Sequence, residues 1–210
     1  MPTKAITMMR AGVLPLDANV KMVHLDANGN AKPIFQEYPY FATLMKHGLV
    51  SPHWINRWYG SLMSPFVGYW AMEKDGSNLI TDAGRAAMAS RVNGSGGAAA
   101  FTSIGQGTGA TAASVADTTL QTGVTAAGAG DAGVHALATA SVTASRVTTT
   151  VTNDTAQLVG TIAEAATIAV TESAVFNADT AGTMLCRQVF TAVNVVNLDS
   201  LQLTWKIKCA

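Results

Sequence analysis

The stretch Leu201-Gln202-Leu203-Thr204-Trp205-Lys206-Ile207-Lys208 decides the fold class. Leu201, Leu203, Trp205 and Ile207 alternate with Gln202, Thr204, Lys206 and Lys208, and a strict period of two gives a sheet one dry and one wet face. Working upstream, Met184, Cys186, Gln188 and Phe190 fall on one face of the preceding strand and Leu185, Arg187 and Val189 on the other. Asn177 to Gly182 reads as a turn. Thr167 to Phe176 and Gln157 to Ala163 are two further runs, joined by Glu164-Ala165-Ala166. In Arg146 to Thr152 the β-branched residues dominate, with Val147, Thr149 and Val151 on one face, and Asn153-Asp154 turns the chain. Five or more short strands with short turns and no helical crossovers make an antiparallel sandwich or barrel. The fold class expected is therefore mainly β: an antiparallel β-sandwich, jelly-roll-like, preceded by one short helix and an irregular extended N-terminal arm.

The helix lies within Leu79 to Gly94. Thr81 can serve as N-cap, Asp82 suits the positive end of the helix dipole, and Ala83, Ala86, Ala87, Met88 and Ala89 favour helix. Asn93-Gly94 stops it, and Leu79, Ala83, Ala87 and Val92 are its expected buried stripe. Gly94 to Gly97 then forms a flexible joint. Residues 1–78 show no sustained period of 3.6 or 2, yet they contain all six prolines, which argues for extended or irregular chain. Asp26-Ala27-Asn28-Gly29-Asn30 reads as a turn. The division expected is an arm over 1–78 and a helix plus sandwich over 79–210.

Composition narrows the function. The 210 residues suffice for one ordinary domain and an accessory segment; 13 basic groups balance 13 acidic ones, giving no electrostatic reason to expect nucleic acid or an anionic membrane as partner. Only 12% of residues are charged while 49% are hydrophobic, a surface suited to life among neighbours. No apolar run approaches the ~20 residues of a spanning helix, and no signal peptide is visible at the N-terminus. The first 91 residues hold all four tyrosines and three of the four tryptophans. The cluster Trp54, Trp58, Tyr59, Phe66, Tyr69 and Trp70 is the strongest single feature, either a local core or an anchor set, since Trp and Tyr dominate interfaces.

Candidate chemistry is thin. Gly105-Gln106-Gly107-Thr108-Gly109-Ala110 fits a loose dinucleotide string, but no apolar helix or parallel strand follows, so it reads as a glycine-rich loop between strands. No lysine occurs from 75 to 205, which excludes a Walker-type phosphate site. His24, His47, His53 and His135 lack metal-ligand spacing, even with Asp26 or Glu37 added. No GxSxG occurs, and pairs such as Glu164 with Glu172 or Glu73 with Asp75 stand without the setting of a sugar-cleaving cleft. Cys186 and Cys209 read as free core thiols; whether they approach depends on where the chain turns between Thr191 and Ser200. No catalytic, metal or cofactor site is expected.

Several segments together resemble a β-domain of tailed-bacteriophage virion proteins. They are Leu79 to Arg85, Ile104 to Gly109 with Ala116 to Leu120, Ala169 to Asn177, Gly182 to Arg187, and Leu201 to Ile207, spanning about residues 79–208. The resemblance implies a non-enzymatic capsid decoration or cement protein, a head fibre, or a tail or baseplate component, in a homo-oligomer, often a trimer. It also implies the major capsid protein or other virion subunits as partners and the virion, assembled in the host cytoplasm, as location. The N-terminal 78 residues match nothing in that family. An irregular aromatic arm suits cement that lies across several subunits; a carbohydrate-binding module with a platform of Trp54, Trp58 and Tyr59 is the alternative of a different class.

Overall fold

The computed structural model describes residues 17–58, 64–124 and 142–209. Its described elements are β1 (Asp17–Leu25), β2 (Ala31–Lys32), β3 (Ile34–Glu37), α1 (Pro39–Lys46), α2 (Pro52–Trp58), α3 (Ser64–Val67), β4 (Gly68–Ala71), β5 (Lys74–Ser77), β6 (Leu79–Ile80) and α4 (Asp82–Asn93). There follow β7 (Ser103–Gly107), β8 (Gly123–Val124), β9 (Thr143–Val147), β10 (Thr155–Ala163), β11 (Ile168–Phe176), β12 (Met184–Val195) and β13 (Ser200–Lys208). One sheet runs β2-β1-β13-β10-β9, with β5 also on β1; the second runs β6-β12-β11-β7-β8; β3 and β4 form a separate ribbon. Among the described residues every strand pairing is antiparallel.

The two principal sheets face each other. Leu201, Leu203, Trp205 and Ile207 are buried as the alternation requires, alongside Ala18, Val20 and Met22 of β1 and Leu158 and Ile162 of β10. Ile104, Val170, Val175, Phe190 and Val193 meet them from the second sheet. The central motif is one long hairpin folded double. β10 crosses to the second sheet as β11, a turn leads into β12, and β12 crosses back as β13 beside β10. The two crossings lie against each other: Glu164 N donates to Asp199 O at 2.9 Å, and Leu198 N donates to Glu164 O at 2.8 Å. Hence β12 and β13 are not paired neighbours but opposite layers of the sandwich, a jelly-roll-like arrangement. Cys186 is buried and Cys209 exposed, both free, so only Cys186 is a core thiol.

One strand and the N-terminal segment differ from the expectation. The run Arg146 to Thr152 stops being strand at Val147, because the Asp154 carboxylate accepts hydrogen bonds from the amides of Thr149, Thr150 and Val151, at 2.8 to 2.9 Å, and bends the chain. Those bonds, led by that from Val151, hold the Asp154 carboxyl far below its ordinary range. The irregular arm is also revised. β1 pairs along its whole length with β13, from Asp17 opposite Lys208 to Leu25 opposite Ser200. Behind it, Phe35, Met45, Ile55 and Val67 make a small core of their own that sits on β12 through α1, α2 and β3. The described residues 17–58 and 64–78 therefore belong to the folded body, and among them the boundary at 78 does not separate an arm from it.

The helix forms as read. Thr81 Oγ1 accepts from Gly84 N at 3.0 Å and donates to Met184 O at 2.8 Å, and Gly94 closes the C-terminus at φ +72°. Its buried side differs from the expected stripe: Gly84 and Ala87 face inward, whereas Val92 is 89% exposed. Gly84 is required there, since a Cβ would lie 2.3 Å from Leu185 O. Thr81→Ala should lower stability by about 1 kcal/mol, with Thr81→Ser retaining most of it, as read from urea midpoints.

Candidate functional site: an exposed aromatic flank

The satellite core formed by α1, α2, α3 and the β3–β4 ribbon presents rings on two sides. Phe35 and Ile55 point inward; Tyr38, Tyr40, Trp54, Phe66, Tyr69 and Trp70 lie toward solvent, with Phe66 at 70% and Tyr40 at 68% exposure. The rings touch in pairs. Tyr38 lies against Tyr69 with centroids 5.7 Å apart, Trp70 meets the buried Phe35 edge-on at 5.9 Å, and Phe41 bridges Tyr40 and Trp54 at 5.5 and 6.0 Å. Consecutive Tyr69 and Trp70 fall on opposite faces of β4, yet both are half exposed, because β4 is one strand of an isolated two-stranded ribbon. Of the six anchor residues expected, four are thus placed on this flank. Trp58 ends α2 with its side chain outside the described residues, and Tyr59 lies outside them altogether. Leu49 and Met72 also stand exposed on the same module, and sequence reading missed both.

The polar groups are distributed quite differently, inside the body. Glu172, fully buried on β11, accepts from Gly109 N and Thr122 N through Oε1, at 3.0 and 2.8 Å. Its Oε2 accepts from Gln121 N at 3.1 Å and Arg187 Nε at 2.8 Å. Arg187 continues to Asp117 Oδ2 at 2.8 Å and to Thr111 O at 3.1 Å. This network fastens the 108–122 loop over the outer face of the second sheet. It also explains the glycine string: Gly105 and Gly107 belong to strand β7, not to a loop, and a Cβ at Gly107 or Gly109 would come within 2.5 Å of Glu172 Oε1. The glycines admit a carboxylate of this same chain.

A second cluster joins the satellite to the sandwich. Lys74, fully buried, donates to Phe35 O at 2.9 Å, to Thr191 Oγ1 and to Glu37, and Thr191 Oγ1 donates to Glu37 Oε2 at 2.8 Å. Burial pushes the Lys74 ammonium down, with Glu37 opposing. A third lies at the crossing after β12, where Asp199 Oδ2 binds Lys32 at 2.7 Å and His24 at 2.8 Å; the Lys32 bond leads in holding the Asp199 carboxyl low.

Of the carboxyl pairs considered from sequence, Glu164 and Glu172 are engaged with different partners, and Glu73 and Asp75 both lie near Lys21. Glu164 lies at the crossing after β10, bonded to Gln106, while Glu172 faces the 108–122 loop; Glu73 is bonded to Lys21 at the surface. His47 and His53 are exposed on the satellite, Asp26 closes its own turn through Asn28 and Asn30, and Glu37 is held by Lys74. His135 lies outside the described residues. Among the described residues no group of three or more His, Cys, Asp or Glu is placed to hold a metal ion, and no helix is long and apolar enough to cross a membrane. An open cleft of about 590 Å³ between the α1–α2 turn and the 108–112 loop has Met45, Ser51, His53, Thr111 and Gln121 among its lining residues.

Fold and surface together define a β-sandwich protein with an attached aromatic module. No protein-family model matches the chain, no curated protein matches it, and no solved structure matches its fold.

Proposed function

We propose that this chain is a non-enzymatic structural component of a bacteriophage particle, specifically a capsid cement or decoration protein that stabilises the shell. It binds the major capsid protein and copies of itself, with a trimer as the favoured assembly. The observation that carries the reading is the aromatic flank: rigid rings held 40–70% exposed on a module whose own core is already filled, which is the composition of an interface anchor. The low charge of the chain and the resemblance of residues 79–208 to virion β-domains support it. Residues 17–58 and 64–78 fold onto the sandwich rather than reaching out as an extended clamp, so the contact with neighbouring subunits falls to the rings. A tail, baseplate or head-fibre position is the second reading within the same class.

The test is thermal release of genome from particles made with and without this chain. Release at lower temperature without it, reproduced by Phe66→Ser with Tyr69→Ser, is the expected result. An unchanged release temperature with the chain still present in purified particles reassigns it to the tail or a fibre. Absence from purified particles, with binding of the isolated protein to glycans, replaces the virion reading by a carbohydrate-binding module.

A further inference from the structure

The interior of the sandwich contains one polar contact that is only half closed. Glu164, at the crossing between β10 and β11, is 2% exposed, and Gln106 of β7 is fully buried. Gln106 Nε2 donates to Glu164 Oε1. The remaining oxygens of the same two groups, Glu164 Oε2 and Gln106 Oε1, are both buried and have no partner. With an ionised carboxyl both are acceptors, so neither turning the carboxylate nor flipping the amide gives Gln106 Oε1 a donor. A single proton on Oε2 changes the count: Oε2–H donates to Gln106 Oε1 while Nε2–H donates to Oε1, and all four atoms are satisfied in one planar ring.

We propose that the folded protein holds Glu164 as a neutral carboxylic acid, joined to Gln106 by two hydrogen bonds, and that this pair is a base-sensitive fastening of the crossing between the two sheets. An unsatisfied buried acceptor is costly and an unpaired buried carboxylate more so, which selects the protonated form. Burial pushes the Glu164 carboxyl upward, and the amide bond from Gln106 opposes this only in part. The charged groups around it are already engaged. Asp199, whose carbonyl receives Glu164 N, is bonded to Lys32 and His24. Glu172 of β11 is bonded to Arg187 of β12 on the opposite side of that sheet, and Lys206 and Lys208 stand at the far end of β13, beside Gln157 and Thr155. β7, β8 and β10 carry no ionisable side chain. None of these supplies a counter-charge to an ionised Glu164. The pair also bridges the layers, since Gln106 belongs to the second sheet and Glu164 follows directly on β10 of the first.

Carboxyl-carbon NMR of the full chain across pH tests this directly, the Glu164 signal being assigned by its loss in Glu164→Gln. That signal is expected to stay in the protonated position well above the pH at which glutamates ordinarily ionise. If every glutamate ionises in the ordinary range, the proposal is overturned. A second measurement follows stability. The folded protein keeps a proton that the unfolded chain releases, so its stability falls as pH rises from the unfolded value of 4.5 until Glu164 itself ionises. Glu164→Gln, which places an N–H where the acid has an O–H, should close the same ring and lack that component of the slope. Parallel pH profiles for the two proteins would refute the fastening. Should Glu164→Gln fail to fold, the position of the wild-type glutamate signals decides alone. Neither result depends on the virion reading.

Discussion

Replacing Arg187 with methionine is expected to destabilise the protein by about 3–5 kcal/mol, because it leaves the Glu172 carboxylate buried without its counter-charge. Arg187 and Glu172 are 2% and 0% exposed, and three of the four hydrogen-bond donors to Glu172 Oε1 and Oε2 are amides of the 108–122 loop, Arg187 Nε being the fourth. The damage should therefore not be confined to the pair. The 108–122 loop is held by Glu172 through Gly109, Gln121 and Thr122 and by Arg187 through Thr111 and Asp117, so amide exchange at Gly109, Gln121 and Thr122 should accelerate along with the fall in urea midpoint. Arg187→Met combined with Glu172→Gln should be less harmful than Arg187→Met alone, since the neutral amide retains an oxygen for the loop amides and buries no charge. A loss below about 1 kcal/mol for the single variant would place the pair in a solvated setting and refute the fastening role.

How far the sequence could be read follows from what each signal constrains. The alternation in Leu201 to Ile207 was decisive because a one-residue slip would move every apolar side chain into water. The turn Asp26 to Asn30 and the capped helix were equally legible, since Gly29 and Gly94 adopt positive φ and Asp26 and Thr81 bond their own backbones. The crossing between β12 and β13 was not, because period-two alternation is the same whether the next strand pairs alongside or faces from the other sheet. The linker Val196 to Asp199 contains no glycine, and Leu198 carries the positive φ of +71° instead. β1 was hidden differently. Ala18, Val20 and Met22 do alternate with Asn19, Lys21 and Val23, but prolines at 15 and 33 bracket the strand, and their signal for irregular chain outweighs a short alternation in the proline-free interval between them.

The site was legible in residue type and not in arrangement. A cluster of Trp, Tyr and Phe states that much apolar area must be covered; only the fold separates the rings that fill a core, such as Phe35, from those left outside, such as Phe66 and Tyr69. The buried ionic contacts escaped for a related reason. Lys74 with Glu37 and Arg187 with Asp117 are separated by 37 and 70 positions, and no local spacing marks such partners. The glycines at 105, 107 and 109 were visible from the start, but their purpose lies in the loop and carboxylate that press against them.

The largest single loss from the core is expected for Trp205→Ala, about 3–5 kcal/mol in urea unfolding. Trp205 is fully buried at the middle of the first sheet, opposite Val20 on β1 and Leu158 on β10, so its ring is shared by the three longest strands of that layer. Removing it leaves a cavity between elements joined by continuous ladders on both sides, which can collapse only by bending the sheet. Trp205→Phe separates volume from polarity. The indole Nε1 is buried with no hydrogen-bond partner, so phenylalanine gives up ring volume while relieving an unsatisfied donor. Its cost should fall well below that of alanine, at about 1–2 kcal/mol. Were Trp205→Phe as harmful as Trp205→Ala, the Nε1–H would have to be making a bond that matters, and the apolar account of this position would fail. Because Trp205 lies in the sandwich and the exposed rings lie on the satellite, Trp205→Phe should leave the association proposed for Phe66 and Tyr69 intact while lowering the temperature at which the body unfolds.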